Sequence, residues 1–163
     1  MGNPEHITII SGGQTGTDRA ALDFGLKHGI PVGGWCPKGR LAEDGPIDPS
    51  YPLLETSSED PAERTRANVD ASNGMVLIYL DMIDEGTRLA LQFCKSLGKP
   101  VLLVNREFPP DQEEFSGWLL VNGIRNLNIA GPRESNAPGV YSFAYSSLEA
   151  LLCMEDGRMK MEE

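Results

Sequence analysis

The residues Gly12-Gly13-Gln14-Thr15-Gly16-Thr17 lie between a β-branched run, His6–Ser11, and an apolar-periodic stretch that begins at Thr17. Three glycines in such a place let the backbone turn tightly and come close to a ligand. A helix starting at Thr17 would add free N–H groups and a partial positive charge, the combination that binds anions. Gln14, Thr15 and Thr17 supply uncharged donors. No Gly-Lys-Ser/Thr follows, so the turn is not a P-loop. The GGxxG spacing, and a next strand that ends Gly33-Gly34-Trp35 without an acid, also separate it from the dinucleotide fingerprint.

Three further polar segments fall at expected strand ends: 36–44 (CPKGRLAED), 84–88 (DEGTR) and 131–135 (GPRES). Six of the 14 basic residues, Arg19, Lys38, Arg40, Arg64, Arg66 and Arg133, sit in or beside these segments. A fork-shaped guanidinium suits phosphate, so a cationic cluster in an acidic chain points to an anionic guest. Arg64 and Asn68 are one helical turn apart and share a face, with Thr65 beside them, whereas Arg66 faces elsewhere. Gly86 permits close backbone approach, and Thr87 can cap a helix or donate to an anion. Gly39 accompanies Lys38 and Arg40 in the long loop, and Glu134 and Ser135 accompany Arg133.

Catalytic chemistry is thinly represented. His6 and His28 are the only histidines, and both fall outside the polar segments, which speaks against a His-based triad. The available acids are Asp18, Glu43, Asp44, Glu85 and Glu134. Asp18 on a first helical turn complements the helix dipole. Glu43 and Asp44 could touch a polar ligand, bind Mg²⁺ or stay solvated. None of them stands out as a general base.

The elements that must position these residues alternate. Strands are expected at His6–Ser11, Ile30–Trp35, Leu53–Thr56, Met75–Leu80, Val101–Val104 and Leu127–Ala130. Helices are expected at Thr17–His28, Pro61–Ser72, Glu85–Leu97, Glu113–Gly123 and Gly139–Cys153. Residues 36–52 carry four prolines and two glycines and read as a long irregular loop of the kind that is often functional. The pattern predicts an α/β fold: a three-layer, Rossmann-like, open and mainly parallel sheet with helices on both faces. Ligands of such sheets lie beyond the carboxyl ends of the strands, which is where all four polar segments fall.

The chain has 163 residues, a length that suits one domain; we expect that domain to span 1–154, with a charged tail over 155–163. Its net charge of −10 disfavours binding to nucleic acid or an anionic membrane surface. No apolar run reaches membrane-spanning length, and the N-terminus does not read as a secretory signal. Cys36, Cys94 and Cys153 are odd in number and far apart, so neither a disulfide framework nor a structural metal is expected. A cytoplasmic location is the simplest expectation.

The block Gly12-Gly13-Gln14-Thr15-Gly16-Thr17-Asp18-Arg19-Ala20-Ala21-Leu22-Asp23 resembles the opening motif of the molybdenum cofactor carrier family. Pro37-Lys38-Gly39-Arg40 with Glu43-Asp44-Gly45, Tyr51-Pro52-Leu53, Arg64-Thr65 with Asn68, Gly86-Thr87, and 131–135 with Pro138-Gly139 are similar to it as well. The resemblance covers about residues 7–152. It implies a Rossmann-like fold related to the lysine-decarboxylase-like and DNA-processing protein A groups. It also implies a homo-oligomer, a dimer or tetramer. The ligand it implies is molybdenum cofactor, a pterin bearing a phosphate and a dithiolene-held metal. On that reading the phosphate rests on the Gly12–Thr17 turn near Gly86, Thr87 or Arg133. Lys38 and Arg40 help from the loop, and Gln14 and Asn68 read the pterin. The alternative is a nucleotide-metabolite hydrolase, since the same superfamily holds phosphoribohydrolases with a Pro-Gly-Gly-x-Gly-Thr-x-x-Glu pattern. Here Met82–Ala90 lacks the leading glycines and has Ala90 in place of the acid, which favours a binder over a catalyst. A DNA-associated module, by analogy with the DNA-processing relative, is disfavoured by the charge.

Overall fold

The computed structural model describes residues 6–152, together with the backbone of Met154–Glu155 and Arg158–Met159. Strand β1 (Thr8–Ile10) leads through the Gly-rich turn to α1 (Thr17–His28), which Gly29 ends in a left-handed conformation. Then come β2 (Val32–Gly33), β3 (Trp35–Cys36), the long loop and β4 (Leu54–Glu55). Helix α2 (Pro61–Asp70) starts with proline at its first position and Asp60 as its cap. The second half runs β5 (Gly74–Ile78), α3 (Glu85–Ser96), β6 (Val101–Val104), α4 (Gln112–Val121), β7 (Asn126–Ala130), a 3₁₀ turn (Glu134–Asn136) and α5 (Val140–Leu152).

Five strands form one parallel sheet in the order β2-β1-β7-β5-β6. Numbered as if the chain began at β7, with β1, β2, β5 and β6 following, that order reads 3-2-1-4-5. This is the doubly wound nucleotide-fold order with its first unit moved to the end of the chain. Strand β5 is buried at every residue, and its period of two divides it between two cores. Val76 and Ile78 join Phe24, Phe115, Leu119 and Leu148 under α1, α4 and α5. Met75 and Leu77 join Val69, Ala90 and Cys94 under α2 and α3. The three-layer α/β architecture expected from the sequence is therefore present, and the direction change of the sheet lies between β7 and β5.

One expected strand is divided. Ile30–Trp35 breaks at Gly34, which has φ of 134° and no room for a side chain, since a Cβ would stand 2.2 Å from Ser11 O. Beyond that kink, β3 leaves the main sheet and pairs in parallel with β4. The long loop between them is ordered by a small core of its own, Leu22, Cys36, Ile47 and Leu53. Of the tail expected over 155–163, the described backbone shows Met154–Glu155 paired antiparallel with Arg158–Met159; the rest, like Cys153, lies outside the described residues. Among the described residues, no helix is long and apolar enough to cross a membrane.

Candidate functional site

A cavity of about 150 Å³ opens at the carboxyl ends of β7 and β5, where the strand order reverses. That is the volume of about five water molecules. Leu127 and Ile129 point from β7 into the α1/α5 core, so Asn128 between them faces the α2/α3 side and forms the cavity floor. Arg64, Thr65 and Asn68 of α2 make one wall, and Asp84 to Thr87 with Ala90 make the other. Gly12, Gln14, Asp18, Gly131, Arg133 and Asn136 close the rim.

Two close approaches fix this rim. Gly131 packs so tightly that a Cβ would lie 2.1 Å from Ile78 O and 2.4 Å from Thr17 Oγ1. Gly16, with φ of 83°, would place a Cβ 2.4 Å from Pro132 O. The turn after β7 is therefore seated directly on the turn after β1, with Thr17 N–H donating to Pro132 O at 3.3 Å.

The groups left free are cationic or neutral donors. Arg64 is only 7% exposed, and its guanidinium makes a single hydrogen bond, from Nη1 to Gly12 O at 2.8 Å. Burial lowers its pKa, opposed by the charge of Asp18 and reinforced by Arg133 nearby. Asn128 is 3% exposed as a residue, and its amide, which makes no hydrogen bond within the protein, is open to the cavity rather than sealed. At the start of α3, Asp84 accepts from Thr87 N–H at 3.0 Å, while the N–H groups of Glu85 and Gly86 have no acceptor. Such a helix end attracts anions.

Three acids line the cavity: Glu85, whose side chain is exposed, and the more buried Asp84 and Asp18. Asp84 accepts from Thr87 N–H and Oγ1, from Asn136 Nδ2 at 2.9 Å and from Arg133 N–H at 3.3 Å. Burial works against its charge, but these hydrogen bonds prevail and hold its carboxyl below the ordinary value. Asp18 is pushed up to about 6, mainly by burial, with Arg64 and the Gln14 N–H acting in the opposite direction.

Of the residues singled out from the sequence, Gly12, Gln14, Asp18, Arg64, Asn68, Gly86, Thr87 and Arg133 come together at this cavity. The others support it from outside. Arg40 gives its guanidinium to the carbonyls of Ile47, Asp48, Tyr51 and Leu53, and so ties the long loop to itself. Glu43 accepts from Thr15 Oγ1 and from both N–H and Oγ of Ser135, joining the loop to two strand ends. Asp44 makes a two-pronged pair with Arg19 at 3.0 and 3.1 Å. Glu134 caps α5 through Gly139 N–H at 2.7 Å and Tyr141 N–H at 3.0 Å. Gly13 packs on Ile47 and Leu53, Gly39 N–H donates to Glu55, and Lys38 is exposed away from the cavity.

Of the two side chains expected to read a heterocycle, Asn68 has both ends of its amide bonded within the protein and Gln14 only its oxygen. Asn68 exchanges hydrogen bonds with Trp35 N–H and C=O at 2.8 and 3.0 Å. Gln14 Oε1 accepts from Thr15 N–H and Glu43 N–H. Sequence reading missed Asn128, Asp84 and Asn136. A polar residue in the middle of the otherwise apolar run Leu127–Ala130 was the available signal for Asn128. Among the described residues, no three His, Cys, Asp or Glu side chains are grouped to hold a metal ion.

The model of the family described as "Circularly permutated YpsA SLOG family" matches residues 9–152. A crystal structure of a protein from Syntrophus aciditrophicus SB, named "Putative molybdenum carrier protein", is 41% identical with a TM-score of 0.86. The match covers 91% of this chain and 96% of that one. None of the curated proteins matches the chain.

Proposed function

From the premise that the chain belongs to the circularly permutated YpsA SLOG family, we propose that it is a small-molecule carrier that grips its guest by a phosphate group. The guest we assign is a phosphorylated pterin of the molybdenum cofactor type, supported by the printed name of the 41%-identical protein.

Arg64 carries this reading. A guanidinium buried to 7% exposure with one hydrogen bond is costly unless an anion completes it. The open N–H groups of Glu85 and Gly86 and the nearby Arg133 face the same volume. The cavity's volume of about 150 Å³ is below the roughly 300–1,000 Å³ of sites that swallow a whole organic ligand. A phosphate fits that volume, where Arg64, the Glu85 and Gly86 N–H groups and Asn128 would hold it, and the rest of a larger guest would have to stay outside. Hydrolysis is not favoured, because Ala90 occupies the cavity wall where the phosphoribohydrolase pattern has its acid.

The test is calorimetry with molybdopterin and with simpler phosphorylated pterins, alongside fluorescence of any pterin released from denatured protein. Binding by the wild type and at least tenfold weaker binding by Arg64→Met is the expected result. No heat and no release across phosphorylated pterins and nucleotides would remove the proposal.

A further inference from the structure

We propose that the cavity selects an oxyanion able to carry a proton, a phosphate or phosphate monoester, over permanently deprotonated oxyanions such as sulfate and molybdate, with Asp18 as the selecting residue. The inference rests on the anion-binding reading above and names the chemistry of the group that enters.

Asp18 and Arg64 flank the same opening. Where a Cβ on Gly12 would stand, Arg64 Nη1 lies 2.9 Å away and Asp18 Oδ2 lies 3.0 Å away. An anion drawn to Arg64 therefore meets a carboxylate. An ionised carboxylate only accepts hydrogen bonds, and so does sulfate or molybdate at neutral pH, so the pair repels. A phosphate that keeps one proton donates it to Asp18 and turns the repulsion into a hydrogen bond. Asp84 cannot play this part, because four donors already occupy it. The remaining contacts are indifferent to the proton: Arg64, the Glu85 and Gly86 N–H groups, and the Asn128 amide that opens onto the cavity.

The charges facing Asp18 are Arg64 from α2, Arg19 from its own helix and Asp84 ahead of α3. Their balance with burial leaves the Asp18 carboxyl at about 6, close to the second dissociation of a phosphate monoester at about 6. At pH 7 a carboxyl at about 6 is still mostly ionised, so the shared hydrogen bond forms most readily with a guest that brings its own proton. A monoester that arrives as a dianion takes up to one proton from solvent as it binds.

The experiment is calorimetry at pH 7 with inorganic phosphate, phenyl phosphate, sulfate and molybdate, repeated in two buffers of different ionisation enthalpy. The wild type is expected to bind phosphate or phenyl phosphate at least tenfold more tightly than sulfate or molybdate, with net proton uptake. The two phosphate arms separate free phosphate from a monoester as the guest. Asp18→Asn is expected to bring all four within threefold and to abolish the uptake. Wild-type binding of molybdate or sulfate as tight as phosphate, or binding without proton uptake, overturns the inference and needs no variant. Retention of the tenfold preference by folded Asp18→Asn also overturns it. Equal binding of all four anions sinks the inference but leaves the carrier reading standing. Silence from every anion, with molybdopterin also silent, sinks both.

Discussion

Arg64 and Arg40 are both arginines of the candidate motifs, and replacing each by methionine should produce opposite phenotypes. Arg40 donates to four carbonyls of one loop and is held at φ of 56°, a backbone region that only such an anchorage maintains in a non-glycine residue. A hydrogen bond involving a charged group contributes about 1.5–3 kcal/mol. The four are shared by one partly exposed group, so Arg40→Met should cost about 3–5 kcal/mol in total. Arg64→Met loses one such bond, to Gly12 O. It also removes a buried charge whose desolvation costs several kcal/mol. The two offset one another, so ligand-free stability should change by less than about 1.5 kcal/mol. Binding should change far more. Truncating one partner of a buried charge pair costs about 2–5 kcal/mol, roughly 30- to 5,000-fold in affinity. Urea unfolding without ligand and calorimetry with inorganic phosphate read the two quantities separately. If Arg64→Met unfolds more easily than Arg40→Met, or keeps phosphate affinity within threefold, the assignment of Arg64 to a guest rather than to the fold is refuted.

Asn128→Leu removes a donor that opens onto the cavity and should weaken phosphate binding about fivefold, which titration checks. Gly86→Ala meets no atom within 4 Å and should stabilise α3 by up to about 1 kcal/mol, while its methyl, standing on the approach to the helix end, lowers phosphate affinity. Gly131→Ala should lose about 3 kcal/mol or fail to fold, since the clash is with the Ile78 carbonyl and the Thr17 side chain. The folded Asp18 carboxyl at about 6 lies above its unfolded value of 3.8, so the folded chain holds that proton more tightly. Stability should therefore fall as pH rises from about 4 to 6, and Asp18→Asn should flatten that fall in denaturant midpoints taken along the pH axis. Asp44 and Asp84 are shifted downward, so their contribution is lost only on acidification below about pH 4.

The fold was legible because local and global signals agree. β-Branched runs alternate with capped amphipathic stretches, and every helix expected from the sequence is found within two residues of its bounds. The convergence of four polar segments on one rim also follows from that alternation. What the sequence could not show is which polar atoms are already spent. Arg40 and Arg64 look alike in a motif, yet one serves carbonyls of its own loop and the other is nearly unpartnered. Asn68 and Gln14 look alike as polar donors, yet Trp35 takes both ends of the Asn68 amide while Gln14 gives only its oxygen to Thr15 and Glu43. Apart from Arg40, whose partners lie 7 to 13 residues away, and the adjacent Thr15, these competitions depend on contacts 29 to 52 residues apart in sequence, which no local pattern encodes. Asn128 was hidden for the opposite reason: within a short strand a single polar residue reads as a defect until the face it points to is known.

The permuted strand order explains where the open helix end must be. In doubly wound sheets the turn after the first strand presents the helix N-terminus that holds a phosphate. Here that turn joins β7 to α5, and Glu134 fills it with its own carboxylate while Val140 N–H donates to Ala137 O. An anion placed against α5 would meet a negative group instead of N–H donors. The start of α1 is partly closed as well, because Thr17 N–H is taken by Pro132 O. The first turn of α3 keeps the Glu85 and Gly86 N–H groups open at the cavity, beside the buried Arg64 guanidinium and the Asn128 amide that line the same space. The acid at α5 thus directs a negative guest across the sheet edge to the α2/α3 face, where Asp18 is the buried carboxylate that still has an acceptor to offer.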